Sequence, residues 1–201
     1  MQVLDISEFQ AEHYNHLGKK LVVDGVLGPE TRWAMDVASL SSERRAVWDR
    51  AKQYIGLAED PPFSNDDPEG IIDGWLKAAR AKEGDPWCAA AASFWLSAST
   101  PVAIAGAIRL GKHFPETDTP WAFDLFWYPT NDKGNGHVGL VIGVGSVEIM
   151  TLEGNCDNAV RVRRRPRKGL RFSRTFDETL GTCPKVILSP KVPLLIGGGT
   201  R

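Results

Sequence analysis

The sequence predicts an α+β fold in which a helix carrying a cysteine packs on an antiparallel sheet, preceded by a small helical unit. Three observations predict it. Helix-like spacing of apolar residues recurs as far as Trp95, the run Gly136 to Val144 is apolar throughout like a strand covered on both faces, and a turn sends Val147 to Asn155 back beside it. With 201 residues the chain can hold one mid-sized domain and a small one. A formal net charge of −1 gives no global pull toward nucleic acid or a membrane surface. No apolar run approaches the roughly 20 residues of a membrane span, so no membrane insertion is expected. Three cysteines cannot all pair within one chain, which argues against a disulfide scaffold and leaves one to be kept for its reactivity.

Residues 1–40 read as the small helical unit. Leu4, Phe9 and Leu17 have helix-like spacing, Asp24-Gly25 and Gly28-Pro29 are chain-reversal pairs, and a helix starts at Pro29 and runs through Trp33, Ala34 and Val37. The domain boundary falls near Leu40, so that residues 41–201 form the larger unit. Ser41-Ser42-Glu43 caps the next helix, with Ala46, Val47, Ala51, Tyr54 and Ile55 on one stripe. Pro61 to Gly70 is a polar loop whose acidic residues lack the alternating spacing of a calcium site. Helices are expected at Ile71 to Ala81 and at Val102 to Phe114, and a strand at Trp121 to Tyr128. The run Arg161 to Lys168 suits an edge strand whose charges block aggregation, or a surface drawn to anionic envelope polymers. Ser189 to Arg201 reads as a loose terminus.

The chemistry begins at Gly84-Asp85-Pro86-Trp87-Cys88. Asp85 suits an N-cap and Pro86 the first helical position, which puts Cys88 in the first turn. Free N–H groups and the positive end of the helix dipole there favour thiolate over thiol, and the same N–H groups can bind an oxyanion. Ala91, Ala92 and Trp95 follow at three, four and seven residues, a small-residue face suited to close packing on a sheet. Downstream, His137 opens the buried strand beside Gly136 and Gly139, and Glu153 and Asn155 end its partner. A cysteine hydrolase needs a thiolate, a base and a third polar group that holds the imidazole in one tautomer, and Cys88, His137, Glu153 and Asn155 are candidates for these parts.

Strand geometry adds a constraint. Were Gly145-Ser146 a two-residue loop with regular pairing, His137 would lie opposite Gly154 and Glu153 would face away from it. A three-residue loop or a β-bulge is therefore expected. Trp87, Trp95, Trp121 and Trp127 read as core, with Trp87 also a candidate for lining the groove beside the nucleophile. Cys156 and Cys183 read as ordinary thiols.

Two resemblances rest on these residues. VDGVLGPETRWAM, with Phe9-Gln10 before it, resembles the small three-helix peptidoglycan-binding module found at the ends of many cell-wall hydrolases, which implies wall binding; a helical cap that only buttresses the larger unit is the alternative. GDPWCAAAASFW, GHVGLVIG and LEGN, in that order over residues 41–170, resemble the CHAP and NlpC/P60 group of papain-like peptidoglycan amidases and endopeptidases, especially phage endolysins. Ala91-Ala92 stands where relatives more often carry bulkier apolar residues. The resemblance implies Cys88 as nucleophile, His137 as its base, and Glu153 with Asn155 orienting His137, with no metal or organic cofactor. It also implies peptidoglycan as the partner and a monomer as the acting species. Residues Met1 to Gln10 contain no basic run followed by an apolar core, so synthesis in the host cytoplasm and later release onto the wall are expected. A contact-dependent antibacterial effector and an inert wall-binding protein are the alternative functions.

Overall fold

A computed structural model describes residues 5–131 and 134–176. Leu4, Cys183 and the Ser189 to Arg201 tail lie outside them. The chain forms α1 (Ile6–Glu12), α2 (Pro29–Ala38), α3 (Ser42–Ala51), α4 (Ile71–Ala78), α5 (Cys88–Leu96) and α6 (Ala107–Gly111), then β1 (Leu125–Pro129), β2 (Gly136–Val144), β3 (Glu148–Glu153), β4 (Arg161–Pro166) and β5 (Arg171–Ser173). The five strands make one sheet in the order β4-β3-β2-β1-β5, antiparallel at every pairing. The fold is α+β, and none of the described helices is long and apolar enough to cross a membrane.

The amino-terminal turn is organised by Gln10, which is buried. Its side-chain oxygen accepts from the N–H groups of Asp24 and Gly25 at 3.1 and 2.9 Å, and its nitrogen donates to Asp24 Oδ1, the Val26 carbonyl and Thr31 Oγ1. One glutamine thereby satisfies the Asp24-Gly25 reversal and fixes it to the first turn of α2. The helices then join a continuous core with the rest of the chain: Trp33, Val37 and Leu40 belong to the same buried cluster as Trp48, Phe123 and Ile142. Trp33 stacks edge-on with Trp48 at 5.0 Å and donates its indole N–H to the Ile142 carbonyl at 2.9 Å. From α3, the fully buried Arg44 donates to the Ala122 carbonyl and pairs with the buried Asp124 at 3.2 Å.

Several elements are shorter than their composition predicts. The helix expected through Ala81 ends at Ala78, where Arg80 takes a left-handed φ of 60°. The helix expected over Val102 to Phe114 is confined to Ala107–Gly111. The aromatic run from Trp121 enters the sheet only at Leu125, because Asp124 Oδ2 accepts from the Trp121 N–H at 2.8 Å and holds Trp121 to Asp124 in a turn. The basic run forms β4, at one edge of the sheet.

Helix α5 differs at its start. Asp85 does not cap it: its carboxylate accepts from the Lys82 N–H at 3.0 Å and closes the preceding turn. Cys88 is therefore the first helical residue, following Trp87, and no side chain caps the N–H groups of that turn. The expected small face is present, with Cys88, Ala91, Ala92 and Trp95 all buried.

Candidate active site

The register of the β2–β3 hairpin decides which side chains meet. Gly145 N–H donates to the Glu148 carbonyl at 2.9 Å, so the tight loop is Ser146-Val147, one residue later than expected. Val144 pairs with Ile149 and Gly143 with Met150, but Val141 pairs with Thr151 and Leu140 with Leu152. A bulge at Ile142 absorbs the difference, and its carbonyl is the acceptor that Trp33 engages. Continuing this register sets Gly139 against Glu153, on the face that carries His137. Gly139 is needed there: a Cβ on it would lie 2.7 Å from the Leu152 carbonyl and 3.1 Å from Glu153 Cγ, closing the path of the carboxylate toward His137.

His137 and Glu153 meet directly, Nε2 to Oε2 at 2.7 Å. With Nε2 occupied by Glu153, Nδ1 is the ring nitrogen that remains free, and Cys88 is close enough to help raise the imidazole's pKa. The Glu153 carboxylate is fully buried and held by further donors: Arg165 grips both oxygens, Nε and Nη2 each at 2.6 Å, and Thr151 Oγ1 donates to Oε1. The Arg165 guanidinium lies 5.7 Å from the Tyr128 ring, and Tyr128 is paired across the strands with His137.

The electrostatics follow from these contacts. Burial alone would push the Glu153 carboxyl up, but hydrogen bonds from Arg165, His137 and Thr151 overcome it and hold the carboxyl at about 2. Burial likewise opposes a charge on His137, yet the bonds to Cys88 and Glu153 prevail and raise the imidazole to about 9. At neutral pH the site therefore holds a cationic imidazole between a buried carboxylate and the sulfur of a cysteine at an uncapped helix start. Cys156 lies nearby, and burial pushes its thiol up, against reactivity.

No family model, curated protein or solved structure matches this chain.

The geometry joins His137 to Glu153, with Cys88 close enough to bear on the imidazole's charge. Asn155 takes a left-handed φ of 53°, and its amide donates to Asn65 Oδ1 at 3.0 Å. Asn65 in turn donates to the Gly84 carbonyl at 3.0 Å, so Asn155 ties the Pro61 to Gly70 loop and the turn before Cys88 to the end of β3. Trp87 is fully buried, with its indole N–H on Glu59 Oε1 at 2.8 Å, and belongs to the core, not to a groove wall. The small residues after Cys88 also find their reason. A Cβ on Gly154 would lie 2.7 Å from Ala91 Cβ and 2.9 Å from the Trp87 ring, so α5 rests against bare backbone beside Glu153.

Sequence reasoning missed Arg165, Thr151 and Asn65. The first two had a usable signal. Arg161, Arg163 and Arg165 alternate along β4, and Thr151 precedes Glu153 by two, so strand alternation alone sends them to the face of the carboxylate.

Proposed function

We propose that the protein is a cysteine-dependent peptidoglycan hydrolase that cleaves an amide bond of the peptide stem, on a papain-like domain preceded by a wall-binding helical module. The observation that carries the reading is the His137–Glu153 pair, a buried carboxylate holding the imidazole at 2.7 Å, with Cys88 opening α5 near enough to influence that imidazole. Peptidoglycan as the substrate rests on the sequence resemblance described above.

The Cys88 thiolate attacks the amide carbonyl, forming the carbon–sulfur bond and placing negative charge on the carbonyl oxygen. First-turn N–H groups of α5 that carry no side-chain cap, including that of Cys88, are available to that oxyanion. The His137 imidazolium gives its proton to the leaving amine as the carbon–nitrogen bond breaks, leaving a thioester. Neutral His137 then takes a proton from water, which attacks the thioester and releases a carboxylic acid and the cysteine. Glu153 keeps Nε2 protonated throughout, so that Nδ1 exchanges the moving proton. Arg165 and Thr151 keep Glu153 in place and ionised.

The test is to incubate purified peptidoglycan with the wild type and with Cys88→Ala, following turbidity and identifying the products by mass spectrometry. Loss of turbidity with the wild type alone, with new amine and carboxylate ends, is the expected result. Equal loss with both proteins, or no loss with either, overturns the reading.

A further inference from the structure

The Glu153 carboxylate lies between two cations, Arg165 at 2.6 Å and the His137 imidazolium at 2.7 Å. Both cations rest against the same two rings of β1. The His137 ring is 6.2 Å from Phe126 and 5.8 Å from Tyr128, and the Arg165 guanidinium is 5.8 Å and 5.7 Å from them. Register accounts for this: Phe126 pairs with Gly139 and Tyr128 with His137, so strand alternation sends both rings to the face that carries His137. Gly139 leaves Phe126 the space, since a Cβ there would lie 2.8 Å from Phe126 Cε1.

The two rings have different surroundings. Phe126 is fully buried in a cluster with Val141, Ile149 and Phe172, whereas Tyr128 is half-buried, so Tyr128 is the ring that meets water. A ring face within about 6 Å favours a cation over its neutral form, most of all where water is kept away. Among the described residues, the charged and titratable groups around His137 are Cys88 on α5, Glu153 on β3, Arg165 on β4 and Tyr128 on β1, with Cys156 beyond β3. Burial, the largest influence on the Tyr128 hydroxyl, pushes it above its ordinary 10.0, so Tyr128 stays uncharged while His137 titrates.

We propose that Tyr128 is a positioning residue of the hydrolysis: its ring covers the outer side of the His137–Glu153–Arg165 set and holds the imidazolium against its carboxylate. The role rests on the amide-hydrolase reading, in which His137 must keep its proton until the amine leaves. A tyrosine that merely filled the strand would support the sheet without touching the proton on the imidazole.

The test titrates the His137 imidazole by NMR in the full chain and follows turnover of soluble peptidoglycan fragments in parallel. Tyr128→Phe keeps the ring and loses the hydroxyl, whereas Tyr128→Leu keeps an apolar side chain for the strand and loses the ring face. The midpoint, about 9 in wild type, is expected to stay there in Tyr128→Phe. In Tyr128→Leu it is expected to fall by roughly half a pH unit, as the cation loses one ring face, and turnover at pH 7 to fall by about 3- to 10-fold. Tyr128→Ile, with a β-branched side chain suited to a strand, repeats the comparison if the leucine variant does not fold. An unmoved midpoint without the ring, or an equal fall in Tyr128→Phe, overturns the role. If wild type cleaves nothing but the midpoint still falls only where the ring is lost, the hold on the imidazolium stands and the hydrolase reading falls. If wild type cleaves and the midpoint does not move, the hydrolase reading stands and the role of Tyr128 falls.

Discussion

Replacing Arg165 by methionine isolates what the buried carboxylate requires. Arg165 supplies two of the hydrogen bonds to Glu153, and it is the largest of the influences that lower the carboxyl from its ordinary 4.5 to about 2. That interval corresponds to about 3 kcal/mol favouring the ionised form. The Arg165 side chain is 26% exposed, so water replaces part of the loss, and a cost of about 2 kcal/mol at pH 7 is expected. The dependence on pH distinguishes this cause from lost packing. A carboxyl lowered on folding contributes stability that is fully present above 4.5 and is lost as pH falls through about 2. The difference between wild type and Arg165→Met should therefore shrink by about half or more between pH 7 and pH 3. Urea unfolding followed by tryptophan fluorescence at both values measures it. Turnover should also fall by about tenfold, because a less firmly held Glu153 leaves His137 freer to turn. No stability loss at pH 7, or a loss that is the same at pH 3, would refute the argument.

Other substitutions separate the remaining roles. Glu153→Gln should lower turnover of peptidoglycan by about 100-fold or more, whereas Asn155→Ala, which removes only the bond to Asn65, should cost about tenfold or less; comparable losses would return Asn155 to the imidazole. Protonated His137 stabilises the fold fully below pH 6.5, and this is lost as pH rises through about 9, so a pH–rate profile should decline above about 9 and Glu153→Gln should move that decline to lower pH. Gly154→Ala should destabilise by about 1–3 kcal/mol in thermal or urea unfolding, since its methyl meets Ala91 and the Trp87 ring.

Much of the site could be read from residue order, and what could not has identifiable physical causes. Cys88 with its small-residue face follows from the helix period, and His137 with Glu153 follows from strand alternation once a bulge or a three-residue loop is granted. Asn155 misleads because its spacing from Glu153 places it on the same face only while the strand continues, and β3 ends at Glu153. Asp85 has the composition of a cap, but the turn to Lys82 competes for the same carboxylate. A three-residue loop or a bulge was needed in the hairpin; which of them, and where, was not readable because Val138 to Val144 is apolar at every step, and a strand without alternation does not reveal its register. In the amino-terminal unit, the reversal at Asp24-Gly25 was visible, whereas the glutamine that holds it was visible only as part of a familiar pattern.

The bulge also makes the His137–Glu153 pairing depend on a distant part of the chain. With the same Ser146-Val147 loop and no bulge, His137 would fall opposite Cys156, and Glu153 would point through the opposite side of the sheet. The hairpin thus has two reading frames, only one of which assembles the imidazole with its carboxylate. The indole N–H of Trp33 on the Ile142 carbonyl favours that frame. The amino-terminal helices are in this sense the frame-keeper of a hairpin whose far end they do not reach, and cutting them away would loosen the frame that brings His137 to Glu153.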